Sequence, residues 1–196
     1  MKLIYLTFLL SLSIMASAQN NFKATQIKFE RVEKAYNEKW GTLEKFVKAA
    51  GESNLEYLLI GGLALAMHGI QRYTSDANVW IQPTNDNKEN LINTLLALNY
   101  EPDDIEYINE LDFTEAQIVR LEGPIDILTK VHFRMEYDLC RARAREFVSA
   151  VGFKIFFFHI NDLRESKILA RRPKDLNDVL MIDELIRENA KNSESD

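Results

Sequence analysis

The sequence predicts an α/β (α+β) domain in which a mixed sheet is flanked by helices, with C-terminal helices packed beside it. Three observations lead there. Between Glu56 and Thr129, short apolar runs bounded by turn residues alternate with segments of helical period, the pattern of layered α/β or α+β architectures. Beyond Lys154 an apolar run is followed by helical periodicity broken at Pro173. At 196 residues the chain suits one domain with a real core and is short for two.

The elements follow in order. From Ile27 to Ala50, Ile27, Phe29, Val32, Ala35, Tyr36, Trp40, Leu43, Phe46, Val47 and Ala50 recur at helical spacing, giving one long amphipathic helix or two short ones broken near Gly41. "EYLLIGG" is an apolar run ended by glycines, the look of a buried strand, and "LALAMHG" is a helix of good formers stopped by Gly69. "DANVWIQP" alternates up to Pro83, so a strand puts Asp76, Asn78 and Trp80 on one side and Ala77, Val79 and Ile81 on the other. "NDNKENLINTLLALNY" is a helix capped by Asn85 or Asp86, with Leu91, Leu95, Leu96 and Leu98 as its stripe.

"AQIVRLEGPIDILTKV" reads as two strands joined at Gly123-Pro124, and "FVSAVGFKIFFFHI" as one or two more with a turn at Gly152. The last stretch holds a helix capped by Asn161 and a second from Pro173 to near Asn189.

The net charge of −6 argues against a general nucleic-acid coat, which needs a basic face. "RARAR" from Arg141 to Arg145 is either a phosphate-contacting patch or a solvated helix face. The lone Cys140 forms no internal disulfide and reads as a small buried hydrophobe. The opening "MKLIYLTFLLSLSIMASAQN" has a basic residue, an apolar run from Leu3 to Met15 and the triplet Ala16-Ser17-Ala18, the grammar of a secretory leader. A mature chain from Gln19 would then be exported, periplasmic or secreted. The run falls short of the roughly 20 apolar residues of a membrane-spanning helix, so the mature form is expected without a membrane. The alternatives are an ordinary packed helix, or translation from Met15 and a cytoplasmic protein.

Two features carry chemistry. Glycines ending a buried strand, here Gly61 and Gly62, let the backbone approach a phosphate at a helix N-terminus, or simply make a tight strand-to-helix turn. Asp76 and Asn78, at i and i+2 of a strand, point the same way and can reach one Mg²⁺ together with Asp126 from a neighbouring strand. Asn78 offers a carbonyl oxygen but no charge. His68 reads as a structural or hydrogen-bonded residue, and His132 and His159 lack partners at ligand spacing.

Gly61-Gly62, then His68-Gly69, Arg72, Thr74, Asp76 and position 78, followed by "GPIDIL" and by "DLRESKILARRPKDLNDVLMIDEL", resemble the nucleotidyltransferase (polymerase-beta-like) superfamily. The likeness is to its small bacterial branches related to AbiEii toxins and lincosamide nucleotidyltransferases, and it covers roughly Glu56 to Leu185. The leader grammar sets off 1–18, helical period marks a segment over 19–55, the resemblance implies a nucleotidyltransferase-like domain over 56–190, and the polar end reads as a frayed tail over 191–196.

It further implies that Gly61 and Gly62, with Arg72 and Thr74 of the same signature, hold the triphosphate, and that Asp76 and Asp126 bind Mg²⁺. Lys167, Arg172 and Lys174 would lie near nucleotide or acceptor, and Asp175 and Asp178 would orient the last helix against those basic groups. The family pattern has an acid where this chain has Asn78. The implied function is transfer of a nucleoside monophosphate from a nucleoside triphosphate to an RNA, a protein or a small molecule. The alternatives are a catalytically inactive nucleotide or partner binder, and an exported module that kept the scaffold and lost the ligand.

Overall fold

A computed structural model of the chain describes residues 41–193 apart from 71, 73, 75, 122–124, 149–151 and 153. The leader, the segment from Ile27 to Trp40, the Gly123-Pro124 joint and residues 194–196 therefore lie outside the described residues. The chain divides into two compact units, Met1–Thr42 and Leu43–Asp196. Of the first, only Gly41 and Thr42 are described, and both are helical. The helix α1 (41–52) sends Leu43, Phe46, Val47 and Ala50 into the core.

Among the described residues, six strands form one mixed sheet in the order β3-β4-β2-β1-β6-β5. They are β1 (Tyr57–Ile60), β2 (Ala77–Ile81), β3 (Ile118–Arg120), β4 (Ile125–Leu128), β5 (Arg145–Val148) and β6 (Lys154–Phe157). β1 lies between antiparallel β2 and parallel β6, and β4 runs parallel to β2. The unbroken apolar run of β1 is explained by this central place, since all four of its residues are buried. Edge strand β5 is exposed along its whole length.

Side chains alternate between the two faces of a strand, so the register sorts them. Tyr57 pairs with Ile81, Leu59 with Val79, Ala77 with Ile125 and Val79 with Ile127. This face is apolar and buried, and Phe46 of α1 meets Tyr57 edge-on at 5.7 Å. The opposite face carries Asn78, Trp80, Asp126 and Leu128. Trp80 is packed edge-on against Tyr137 and Phe158, and its indole N–H donates to the Thr129 carbonyl at 2.8 Å. One strand thereby serves both core and site.

The helices are α2 (Gly61–Met67), α3 (Asn85–Ala97), α4 (Pro102–Glu110), α5 (Tyr137–Arg143), α6 (Ile160–Ala170) and α7 (Pro173–Ser193). The sequence reading placed no helix over α4, and four further details depart from it. Thr84, in extended conformation, caps α3 by accepting the Asn87 N–H, whereas Asn85 and Asp86 are already helical. Leu96 points to solvent, 53% exposed, because it falls well off the line joining Leu91 and Leu95 on a 3.6-residue helix. His159, not Asn161, caps α6, its Nδ1 accepting the Asn161 N–H. α7 runs past Asn189 to Ser193. No helix of the described residues is long and apolar enough to cross a membrane.

The α6–α7 corner is closed by polar chemistry. Arg171 ends α6 in the left-handed conformation, φ 54°, and Pro173 opens α7, where its missing N–H costs nothing. Asp175, two residues on, reaches back to accept the Arg172 N–H at 3.2 Å, the reciprocal half of a capping box.

Candidate functional site

The site begins where β1 stops. Gly61 takes φ +67°, a left-handed conformation that an L side chain rarely adopts, and a Cβ there would also stand 3.3 Å from Asn78 Nδ2. A Cβ on Gly62 would stand 2.6 Å from the Cβ and Oγ1 of Thr74 and 2.8 Å from an Arg72 guanidinium nitrogen. The space that the glycine pair leaves open is thus used by Asn78 of β2 and by the segment leading into that strand. That packing is a physical reason for both glycines which the sequence, read without the fold, does not reveal.

Thr74 turns its hydroxyl to Asp76, 3.0 Å from a carboxylate oxygen. Asn78 stands on β2 in register with Asp126 of β4, and Asp126 in register with Arg120 of β3. Because β2 and β4 are parallel, Asn78 and Asp126 lie side by side on one face.

A cavity of about 570 Å³ opens over this end of the sheet. Gly61, Gly62, Arg72, Thr74, Asp76 and Asn78 line one side of it. Ser166, Lys167, Arg172 and Lys174 line it from α6 and the corner beyond, and Val131 and His132 from the loop after β4. Asp126 is not among the lining residues; its place is beside Asn78 in the neighbouring strand. Ser166 and His132 were not singled out as site residues by sequence. Ser166 had a signal, since Ser166 and Ala170 lie one helical turn apart next to Lys167, whereas nothing local marks His132.

A charge network around the buried Lys167, Asp175 and Asp178 backs the cavity. Asp178 pairs with Arg72 at 2.6 Å and with Lys167 at 2.7 Å, while Asp175 pairs with Lys167 at 3.1 Å and Arg172 at 2.6 Å. The Lys167 ammonium meets Asp178 Oδ2 off the hydrogen-bonding direction, so that oxygen has a charge partner without a hydrogen bond. Three cations surround two carboxylates, and among the described residues Lys174 adds a fourth cation that makes no ion pair. The cations that face the cavity outnumber the acids, which suits an anionic ligand.

Burial pushes the Asp175 carboxyl up, but hydrogen bonds from Arg172 and Lys167 and the charges of both outweigh it, leaving the pKa below the usual value. A carboxyl depressed on folding adds stability that is present above its unfolded pKa, about 3.9, and lost as the pH falls through the folded value. Thermal unfolding from pH 7 to pH 3 should therefore show a midpoint that drops below about pH 4, with a shallower acid limb in Asp175→Asn. Identical acid limbs would mean that this group does not titrate on unfolding.

The remaining candidates have structural roles. His68 Nε2 lies 2.8 Å from the Phe158 carbonyl and its ring packs on Phe157; burial lowers its pKa. Cys140 is 2% exposed, and burial pushes its thiol up to about 11, far from a reactive thiolate. The run from Arg141 to Arg145 is not one helix face. Arg141 pairs with Glu56 and lies 3.8 Å from the Phe156 ring centre, Arg143 pairs with Asp162, and Arg145 belongs to β5.

Among the described residues no group of three or more His, Cys, Asp and Glu side chains is gathered to hold a metal ion. Asp76 and Asn78 bring one carboxylate and an amide to the cavity, with the Asp126 carboxylate in the strand beside Asn78. By donor type such a set suits a single Mg²⁺ completed by water and substrate phosphates, and is poor for two ions. No family model and no curated protein matches this chain.

Proposed function

We propose that the cavity binds the phosphate chain of a nucleoside triphosphate, as in the nucleotidyltransferases that the sequence resembles, and that Asn78 leaves transfer slow or absent. One observation carries the reading. The glycine turn, Asp76, Asn78 and the cations Arg72, Lys167, Arg172 and Lys174, from separate stretches of chain, line one cavity.

The roles follow from chemistry. Gly61 makes room for Asn78, Gly62 seats Arg72 and Thr74 at the end of β1, and the excess of cations offsets phosphate charge. Asp76 and Asp126 would hold Mg²⁺, which supplies neutralisation of the phosphates and alignment of the leaving group. Asn78 keeps the shape of an acidic ligand without its charge. The acceptor, an RNA, a protein or a small molecule, is left open, because such surfaces are built from variable parts. With a cleaved leader the protein would meet its ligand outside the cytoplasm, where binding without transfer is the more fitting role.

The test is calorimetric titration with a nucleoside triphosphate, with and without Mg²⁺, comparing the wild type with Asn78→Asp. The added carboxylate should tighten Mg²⁺-dependent binding by about tenfold or more, since an interaction with a charged ligand group is worth about 1.5–3 kcal/mol. Tight Mg²⁺-dependent binding with turnover by the wild type would show that an amide suffices here. Absence of binding by both forms would remove the nucleotide reading and leave a scaffold for a macromolecular partner.

A further inference from the structure

Phe133 is the most exposed large hydrophobic residue among those described, at 69%. It is not isolated. Its ring lies 4.3 Å from that of His132, with 34° between the planes, and the Arg134 guanidinium stands over it at 5.5 Å. Three consecutive planar groups are thus gathered, and the first of them, His132, is part of the cavity wall. His132 Nδ1 accepts the Arg134 backbone N–H at 3.2 Å, which ties the imidazole to its own loop and puts the proton of the neutral ring on Nε2.

Exposing a phenyl ring forfeits its burial, and nothing in the core is gained by placing one here. From its contact with the cavity wall we infer that the His132–Phe133–Arg134 group is a stacking ledge for the base of a nucleotide whose phosphates occupy the cavity. This rests on the triphosphate reading above and extends it to the other end of the ligand. The phosphates are drawn by Arg72, Lys167, Arg172 and Lys174, while the base, a flat π system, adds to planar groups already held close together. Stacking of this kind tolerates any base, because every base has a π face. The ledge would therefore contribute affinity for nucleotides over inorganic phosphates and little choice among bases. Neighbours that already hold the Phe133 ring reduce the freedom lost when the base arrives.

Two ligands and two variants test this in the full chain with Mg²⁺: ATP and inorganic tripolyphosphate, against Phe133→Ala and Phe133→Tyr. Phe133→Ala should weaken ATP binding about tenfold and leave tripolyphosphate binding unchanged, and Phe133→Tyr should retain wild-type affinity for both. Equal affinity of ATP for wild type and Phe133→Ala, or equal weakening of both ligands, would overturn the ledge. Tripolyphosphate binding with no gain from the base would overturn the ledge alone. If neither ligand binds the wild type, the triphosphate reading falls and the ledge with it.

Discussion

Asp178→Ala should lower the unfolding free energy by about 3–5 kcal/mol, the cost of breaking a buried ion pair from one side. Asp178 is 1% exposed and pairs with Arg72 at 2.6 Å and Lys167 at 2.7 Å. Removing it leaves Lys167, itself 5% exposed, with Asp175 alone and releases Arg72 from α7. Because Arg72 precedes Thr74 and Asp76, the loss should also loosen the loop that carries them. Urea unfolding followed by circular dichroism measures the first effect. A loss below about 1 kcal/mol would mean that water replaces the carboxylate and that the network is not a strong element of the fold. Asp178→Asn, which keeps the shape and removes the charge, should fall between the two. Asp183→Ala, at a more exposed pair with Arg164, should shift the midpoint little.

Trp80→Ala is expected to cost a similar amount, about 3–5 kcal/mol, from lost burial and the cavity left behind. The indole is 1% exposed, packs edge-on against Tyr137 at 5.2 Å and Phe158 at 5.7 Å, and donates to the Thr129 carbonyl. It shares its sheet face with Asn78 and Asp126, so it is the packing beneath that end of the sheet. Trp80→Phe separates the contributions. It restores most of the packing but leaves the Thr129 carbonyl without its donor, a loss of about 1–3 kcal/mol. If Trp80→Ala changed the urea midpoint no more than an exposed substitution does, the assignment of Trp80 to the load of this core would fail.

Much of the fold was legible because local chemistry carries it. The run Tyr57–Ile60, the alternation over Ala77–Ile81, the pair of short strands on either side of Gly123-Pro124 and the break at Pro173 each fall where periodicity and backbone preference put them. Helix caps were less legible. Asn85, Asp86 and Asn161 are all acceptable caps by residue type, but the cap belongs to the residue whose backbone is still extended, Thr84 in one case and His159 in the other. Composition does not carry that distinction, since it depends on where the preceding strand releases the chain.

The candidate site divides the same way. Alternation alone put Asp76, Asn78 and Trp80 on one side of a strand, since the parity of side chains along extended backbone is a local property. That Asn78 has Asp126 beside it was decided by the parallel pairing of β2 and β4, a contact between segments far apart in the chain. The same holds for Lys167, whose place between Asp175 and Asp178 needs α6 and α7 to fold back on each other, and for His132, which reaches the cavity only through the loop after β4. By itself the sequence determined most of the segments that become strands and helices, α4 excepted, and which residue types share a face within each, because those follow from backbone sterics and side-chain period. The tertiary structure alone decided the strand order, the burial of Asp175 and Asp178, and the use of the Gly62 gap by Thr74 and Arg72. These depend on which distant surfaces exclude water together, and no short stretch of chain encodes that.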